Sequence, residues 1–261
     1  MKGATAQKRR RGCVCGSMRL FDSVILLTGS GELALLSARL VSCRPALRII
    51  AARSAADLRA IDPETLSHAR LIAFTTPVIV PADILAQLGY GAYNFHPGPP
   101  EYPGLSPAQF ALYDGARDFG ATAHRMVARV DAGPIVAVGR FNVVDGTTRE
   151  ALEMGAYEQL ARLFWDLSPA LAADDAPLPE LTIAWGGRKS TRRSTEAMCA
   201  ISPDIAAAEL HRRVAAFGHS PLGLRPTVTL HGYRFRLEPE AAAEDEPSLL
   251  RTENTAAPSV A

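Results

Sequence analysis

Long apolar runs and paired cysteines are both missing from this sequence of 261 residues. No stretch approaches the roughly 18 consecutive apolar residues that a membrane-spanning helix needs, so we expect no membrane partner. The four cysteines show neither metal-ligand spacing nor a disulfide framework. Few and unpaired cysteines are typical of proteins from a reducing compartment. We therefore expect a cytoplasmic protein without a metal site.

The sequence also lacks a strong excess of charge of either sign. The formal net charge is +1, and five of the positive charges lie within the first eleven residues, so the remainder is mildly acidic. A nucleic-acid-binding domain usually carries a clustered basic surface, and this balance argues against such a partner. The apolar fraction of 48% is nevertheless enough to build a sizeable core. Nothing in the sequence indicates an oligomeric state.

Both ends of the chain have the composition of disordered tails. The leading residues are basic, and Ala, Glu, Pro and Ser dominate after about Glu238. Residues 172–179, with the sequence AADDAPLP, have the composition of a linker. We therefore expect a disordered tail over 1–17, a catalytic domain over 18–171, a small C-terminal subdomain over 180–238 and a second tail over 239–261. The true start is either Met1 or Met18.

Short apolar runs alternate with helix-like stretches over the first hundred residues. Strands are expected near 23–28, 46–52, 71–75 and 92–95, with helices near 32–41, 55–60 and 81–88 between them. Two more strands are expected near 121–127 and 135–143, followed by a helix near 148–167. This order predicts an α/β fold with a Rossmann-like, doubly wound and mostly parallel sheet. A small C-terminal α+β appendage would contain a strand pair joined at His231 and Gly232.

Two polar side chains end one of these strands. Sheets of this kind bind ligands beyond the carboxyl ends of their strands. Alternate side chains of a strand share a face, so Asn94 and His96 would point together at that edge while Phe95 enters the core. Asp131 lies just before a glycine turn, and it is a candidate partner for the histidine.

These residue types suit acyl transfer to an amine. The carbonyl oxygen gains negative charge as the amine attacks, and preorganised donors stabilise that oxygen. The amide of Asn94 can only donate there, whereas His96 can also move protons near neutral pH. A structural interpretation is open for each residue alone. His96 could cap a strand end, and Asp131 could serve a turn.

Four separated motifs carry a resemblance to a known family. They are Asn94-Phe95-His96-Pro97, then Tyr102 and Gly104, then Gly120-Ala121-Thr122-Ala123-His124, then Val130-Asp131-Ala132-Gly133-Pro134-Ile135. Together with the segment from Val78 onward, they resemble the catalytic core of the folate-dependent formyltransferases, which include enzymes acting on methionyl-tRNA, glycinamide ribonucleotide and sugar nucleotides.

The resemblance implies particular roles for particular residues. Asn94, His96 and Asp131 would be the catalytic residues. The formyl donor would be 10-formyltetrahydrofolate, and the implied mechanism is direct attack of an amine, with Asn94 and a protonated His96 holding the oxyanion. The residues implied for binding the donor are Val78, Ile79, Val80, Val127 and Ala128.

The loop after His96 departs from the family pattern. The common loop reads His-Pro-Ser-Leu-Leu-Pro-x-Tyr-Arg-Gly, whereas residues 96–104 here are one residue shorter, with Gly98 in place of Ser and Pro103 in place of Arg. Because this loop flanks the acceptor, the departure leaves the acceptor open. We expect a small-molecule amine, with amino sugars as one candidate class. The short C-terminal unit lacks the size and charge of the domain that the tRNA-directed enzymes carry there.

Weaker signals have structural interpretations. Gly29-Ser30-Gly31 lacks the third glycine of a dinucleotide fingerprint, and Glu32 would repel a phosphate at that corner. His124 shares a face with Thr122, but a satisfied structural histidine is the preferred interpretation. The basic residues 188–193 could bind an anion, although a solvated loop is the simpler prediction.

Two other functions stay open at this point. One is a hydrolase that releases formate from formyltetrahydrofolate. The other is a folate-binding module without activity.

Overall fold

The computed structural model of the protein describes residues 21–186, 189–218 and 223–238. The expected tails over 1–17 and 239–261 lie outside the described residues, and so does the choice between Met1 and Met18. No helix in the described part of the chain is both long and apolar enough to span a bilayer.

A six-stranded sheet forms the centre of the protein, in the order β2-β1-β3-β4-β5-β6. Its strands are β1 (Ser23–Leu27), β2 (Arg48–Ala52), β3 (Ala69–Phe74), β4 (Ala92–His96), β5 (Asp118–Arg125) and β6 (Ile135–Asn142). Strands β1 to β4 pair in parallel, while β5 pairs antiparallel with both β4 and β6. The predicted α/β, mostly parallel sheet is thus confirmed, and β5 is the strand that runs against its neighbours.

Helices cover both faces of this sheet because its central strands are apolar on both faces. Along β1, Val24 and Leu26 enter one core cluster, whereas Ile25 and Leu27 enter the other. This strict alternation is the period-two geometry of a strand. The helices of the main domain are α1 (Ser30–Cys43), α2 (Ala55–Arg59), α3 (Pro63–Ser67), α4 (Ala82–Gln87), α5 (Pro107–Asp114) and α6 (Arg149–Ala173).

Two of these helices differ from expectation. Helix α3 is only five residues long, too short for a periodic pattern, and its start shows only in the capping Asp62 and in Pro63. Helix α6 continues past Pro169 to Ala173, although the predicted end lies near residue 167. The buried Arg70 donates hydrogen bonds to the carbonyls of Ala170 and Leu171, which satisfies acceptors that the end of a helix leaves open.

A smaller unit follows α6 and contains helices α7 (Arg192–Cys199) and α8 (Ala207–Phe217) with a second sheet of order β7-β8-β9. Its strands are β7 (Ala200–Ile201), β8 (Thr227–Leu230) and β9 (Tyr233–Arg236). The predicted turn at His231-Gly232 is confirmed, since both residues have positive φ, as a two-residue hairpin of type I′ requires.

The expectation of a free loop over the basic residues 188–193 is wrong for Arg192 and Arg193, which begin α7. Thr191 caps this helix through a capping box with Ser194. The unit packs on the main domain through an apolar cluster in which Phe110 of α5 contacts Phe217 of α8. The division into domains at 171 and 180 stays a prediction.

Candidate active site

Asn94 and His96 end strand β4 at the carboxyl edge of the sheet. Phe95 between them packs into the core beside Phe74 and Phe164. Asn94 is half-buried, and His96 retains only 4% of its accessible surface. Two polar side chains thus occupy the edge where sheets of this type bind ligands.

Asp131 reaches this edge from the turn between β5 and β6. Its φ of 44° lies in the left-handed region, which a side chain other than Gly, Asn or Asp seldom adopts. The carboxylate is buried, and its Oδ2 atom lies 3.6 Å from His96 Nδ1. The amide of Gly104 donates a hydrogen bond to the same oxygen over 2.8 Å. The expected proximity of Asp131 and His96 is therefore confirmed, whereas their catalytic role stays a prediction.

His124 belongs to the same cluster, and the preferred sequence interpretation missed it. The antiparallel pairing of β4 and β5 sets His124 opposite Asn94, with its Nε2 atom 3.1 Å from Asn94 Nδ2 and 3.3 Å from Asp131 Oδ1. The shared face of Thr122 and His124 was a signal for this position. What the sequence did not show was that β5 runs antiparallel beside β4.

The loop after His96 closes tightly on the imidazole. His96 Nε2 lies 3.0 Å from the carbonyl oxygen of Tyr102, and the Thr122 hydroxyl donates to the carbonyl of Gly98 over 2.8 Å. A Cβ atom at position 98 would stand 2.8 Å from His96 Nε2 and 2.7 Å from Pro107 Cβ. The shortened loop therefore requires glycine at the position where the family pattern has serine.

The protonation of the cluster follows from its burial. Burial lowers the pKa of His96 below 6.5, more than the charge of Asp131 raises it. Burial raises the pKa of Asp131, but the hydrogen bond from His124, the electrostatic influence of both nearby imidazoles and the hydrogen bond from Gly104 lower it to about 2. At neutral pH the site thus combines an ionised Asp131 with a neutral His96. That a protonated His96 holds the oxyanion during transfer stays a prediction.

His96 has room for one more proton. Both of its ring nitrogens face oxygen, with Tyr102 O 3.0 Å from Nε2 and Asp131 Oδ2 3.6 Å from Nδ1. The neutral imidazole carries a single N–H, so only one of the two nitrogens can donate. A second proton on the ring would face the other oxygen, and general base chemistry needs such an acceptor.

Trp185 covers both imidazoles from the segment that follows α6. Its ring meets His96 edge-on with the centroids 5.8 Å apart and meets His124 in the same way at 5.0 Å. The indole N–H donates to the carbonyl of Gly133 over 2.8 Å. No pattern in the sequence pointed to this residue, because its contacts depend on how the chain returns after α6.

The five residues expected to hold the donor lie on two segments at the same edge. Val78 and Val80 pack against the same apolar cluster as Met126. Met126 directly precedes Val127, so the two segments share this cluster. Ile79 is 68% exposed and Val127 40%, and Ala128 is exposed too. Within the described residues, no hydrogen bond pairs the main chain of Ile79 or Val80. The two segments thus offer open apolar side chains and free main-chain groups.

Other features lie apart from this cluster. An open depression of about 540 Å³ is lined by Glu101, Asp118, Arg140, Phe141 and Asn142. Arg140 already pairs there with both carboxylates. Among the described residues, no group of three or more His, Cys, Asp or Glu side chains is arranged to hold a metal ion.

Part of the chain resembles known proteins. Residues 58–164 match the family model described as formyl transferase, and this segment contains Asn94, His96, His124 and Asp131. A methionyl-tRNA formyltransferase from Thermotoga neapolitana is 34% identical over 109 residues. That match covers 37% of this chain and 35% of the relative, about a third of each. Residues 58–164 are therefore similar to the formyl transferase family.

Solved structures of formyltransferases share the fold. A sugar N-formyltransferase from Shewanella sp. FDAARGOS_354 superposes with a TM-score of 0.69 at 16% identity, covering 85% of this chain and 98% of that one. An N-formyltransferase from Helicobacter canadensis, determined with folinic acid and dTDP-3-aminofucose, gives a TM-score of 0.58 at 13% identity, covering 81% and 85%. At such identities the likeness extends to the fold alone.

Proposed function

We propose that the protein transfers a formyl group from 10-formyltetrahydrofolate to the amine of a small metabolite. The observation that carries the proposal is the buried cluster of Asn94, His96, His124 and Asp131 at the carboxyl end of β4, in a chain whose residues 58–164 match the formyl transferase model. Folate binding alone gives no reason to join an amide, two imidazoles and a carboxylate in this way.

The residues at the sheet edge fit a folate donor. A pterin ring is flat and apolar on its faces, with hydrogen-bonding groups around its edge. The exposed side chains of Ile79 and Val127 suit its faces, and the free main chain of Ile79 and Val80 suits its edge. We propose that Val78, Ile79, Val80, Val127 and Ala128 hold the donor.

The donor supplies a formyl carbon that an amine attacks. Asn94 is the half-buried member of the cluster, and its amide N–H stabilises the oxygen that becomes negative. His96 is neutral at pH 7. Once its N–H shifts from Nε2, beside Tyr102, to Nδ1, beside Asp131, its Nε2 atom can accept the proton that the attacking amine releases. His96 then returns this proton to the donor nitrogen as the bond between that nitrogen and the formyl carbon breaks, which leaves tetrahydrofolate and the N-formyl product. Asp131 is ionised and 3.6 Å from His96 Nδ1, where it stabilises the imidazolium that forms. Preorganised groups of this kind contribute about 10²–10³ in rate each.

Nucleotide-linked amino sugars are the first acceptor class to test. The neighbouring structures from Shewanella and Helicobacter canadensis are sugar-directed or contain an amino sugar nucleotide, and the chain lacks the charge expected for a tRNA partner. We further propose that the catalytic domain spans 18–171 and that the enzyme works in the cytoplasm.

One assay separates the three candidate functions. The protein is incubated with 10-formyltetrahydrofolate, first without an amine and then with a panel of amino sugar nucleotides. Turnover that requires an amine supports the transferase, and formate release without an amine supports the hydrolase. Binding of folinic acid without turnover in either condition supports a folate-binding module, and absence of any binding overturns the proposal.

A further inference from the structure

Trp185 comes from outside the segment that matches the family model, yet it forms the outer wall of the cluster. Its ring contacts both His96 and His124. These histidines stand at the tip of a sheet, where solvent normally reaches, but they retain only 4% and 2% of their accessible surface. The indole is itself half-buried, which is the arrangement of a covering group.

The segment carrying Trp185 is fixed at three points around the site. We call residues 181–186 the roof segment. The amide of Leu181 donates to Ile135 O over 2.7 Å, the indole donates to Gly133 O, and the amide of Gly186 donates to Pro100 O over 2.7 Å. The roof segment thus joins the start of β6, the Asp131 turn and the loop after His96. The approach at Gly186 is close, because a Cβ atom there would stand 2.7 Å from Glu101 O.

We propose that Trp185 is a positioning residue of the formyl-transfer site, acting as a roof that holds the two imidazole rings and keeps bulk water off them. This inference rests on the proposed function and adds to it a reason why formyl passes to an amine rather than to water. Excluding water strengthens the electrostatic interactions inside a site and suppresses hydrolytic side reactions.

The lowered pKa of His96 supports the proposal that Trp185 keeps water off the imidazole. The groups that act on its ring are Asp131, whose charge favours protonation, and His124 and Lys189, whose charges oppose it, while the carbonyl of Tyr102 receives its hydrogen bond. Burial outweighs these and lowers the pKa of His96. Removing the roof restores water to the ring without changing any of the charged groups, so the pKa of His96 should rise toward its ordinary value of 6.5.

The first test measures that change directly in the full-length protein. The side-chain nitrogens of His96 are titrated by ¹⁵N NMR in wild type, Trp185→Ala and Trp185→Phe, with the resonances assigned through His96→Asn. We expect a raised pKa in Trp185→Ala and a smaller rise in Trp185→Phe, which keeps an aromatic ring. The matched control is Trp165→Ala, which removes the other tryptophan of the chain, on the outside of α6 and 40% exposed, and should leave the titration unchanged.

The second test measures how fast water hydrolyses the formyl donor. Formate released from 10-formyltetrahydrofolate without an amine should increase severalfold in Trp185→Ala and stay at the wild-type rate in Trp165→Ala. If Trp185→Ala does not fold, Trp185→Leu and Gly186→Ala open the roof by milder means and should show the same two changes.

The outcomes distinguish the two proposals. If a folded Trp185 variant shows an unchanged titration of His96 and unchanged formate release, the proposal that Trp185 positions and shields the imidazoles is wrong. If no protein binds folinic acid or consumes the donor, the proposed function fails, and the titration alone then decides whether Trp185 shields His96.

Discussion

Two buried charges lie at opposite ends of the central sheet, and their surroundings differ. At the amino end of β3, the guanidinium of Arg70 donates, within the described residues, only to main-chain carbonyls. These are the carbonyls of Tyr90, Ala170, Leu171 and Ala176, and the face of the guanidinium covers the rings of Phe21 and Tyr93. At the carboxyl end of β4, Asp131 meets two imidazoles and the amide of Gly104.

The partners determine what each charge can do. Carbonyl oxygens and aromatic faces satisfy a cation but neither accept nor supply a proton at neutral pH, so Arg70 holds the chain together. Imidazoles do exchange protons near neutral pH, so the Asp131 end can serve chemistry. A buried charge is therefore evidence of a reaction site only when its neighbours titrate.

Replacement of Asn94 should have the largest effect on activity at the Asp131 end of the sheet. Asn94→Ala removes the half-buried amide donor, and turnover of 10-formyltetrahydrofolate should fall by about 10²–10³. The denaturation midpoint should change little. Asn142→Ala is the matched control, because Asn142 ends β6 and is exposed. Equal turnover in the two variants would remove Asn94 from the mechanism.

Replacement of Arg70 should give the opposite result. Arg70→Met removes the side-chain donor from the carbonyls of Leu171 and Ala176, while Ala170 O keeps its hydrogen bond from Asp174 N. Hydrogen bonds to a charged group contribute about 1.5–3 kcal/mol. We expect the free energy of unfolding to fall by about 3 kcal/mol in urea denaturation, while the folded fraction keeps its turnover. Arg59→Met, at an exposed position of α2, should change neither. A stable Arg70→Met protein would contradict the structural role.

A third substitution tests how closely the loop fits His96. Gly98→Ala places a methyl group 2.8 Å from His96 Nε2 and 2.7 Å from Pro107 Cβ. Overpacking of this kind costs about 1–3 kcal/mol, and displacement of the imidazole should lower turnover as well. The control is Gly31→Ala, whose added Cβ meets no atom within 4 Å. Normal turnover in Gly98→Ala would show that the loop can retreat from His96.

The sequence predicted most of the scaffold and part of the site, for definite physical reasons. Strands such as β1 are apolar on both faces, and that pattern is local. Asn94 and His96 were placed by alternation along a single strand. His124 and Trp185 depend on contacts between segments distant in the chain: the reversal of β5 beside β4 sets one, and the return of the chain after α6 sets the other. Contacts between such distant segments produce no local pattern of apolar and polar residues, so the sequence alone did not predict them.

The smallest expected effect is the acid dependence of stability. The pKa of Asp131 is about 2 in the folded protein against 3.8 ordinarily, so the folded state binds its proton less readily than the unfolded state. The resulting stabilisation is complete above about pH 4 and is lost as the pH falls through 3.8 toward 2. By linkage it amounts to about 2–2.5 kcal/mol, most of which is lost by pH 2.

Asp131→Asn isolates this contribution, because other carboxylates with lowered pKa values, such as Glu209 and Asp62, remain in both proteins. The stability difference between wild type and Asp131→Asn, measured by urea denaturation from pH 6 to pH 2, should therefore shrink as the pH falls below about 4. A difference that stays constant over this range would mean that Asp131 does not ionise against the imidazoles, and the contrast with Arg70 would then lose its basis.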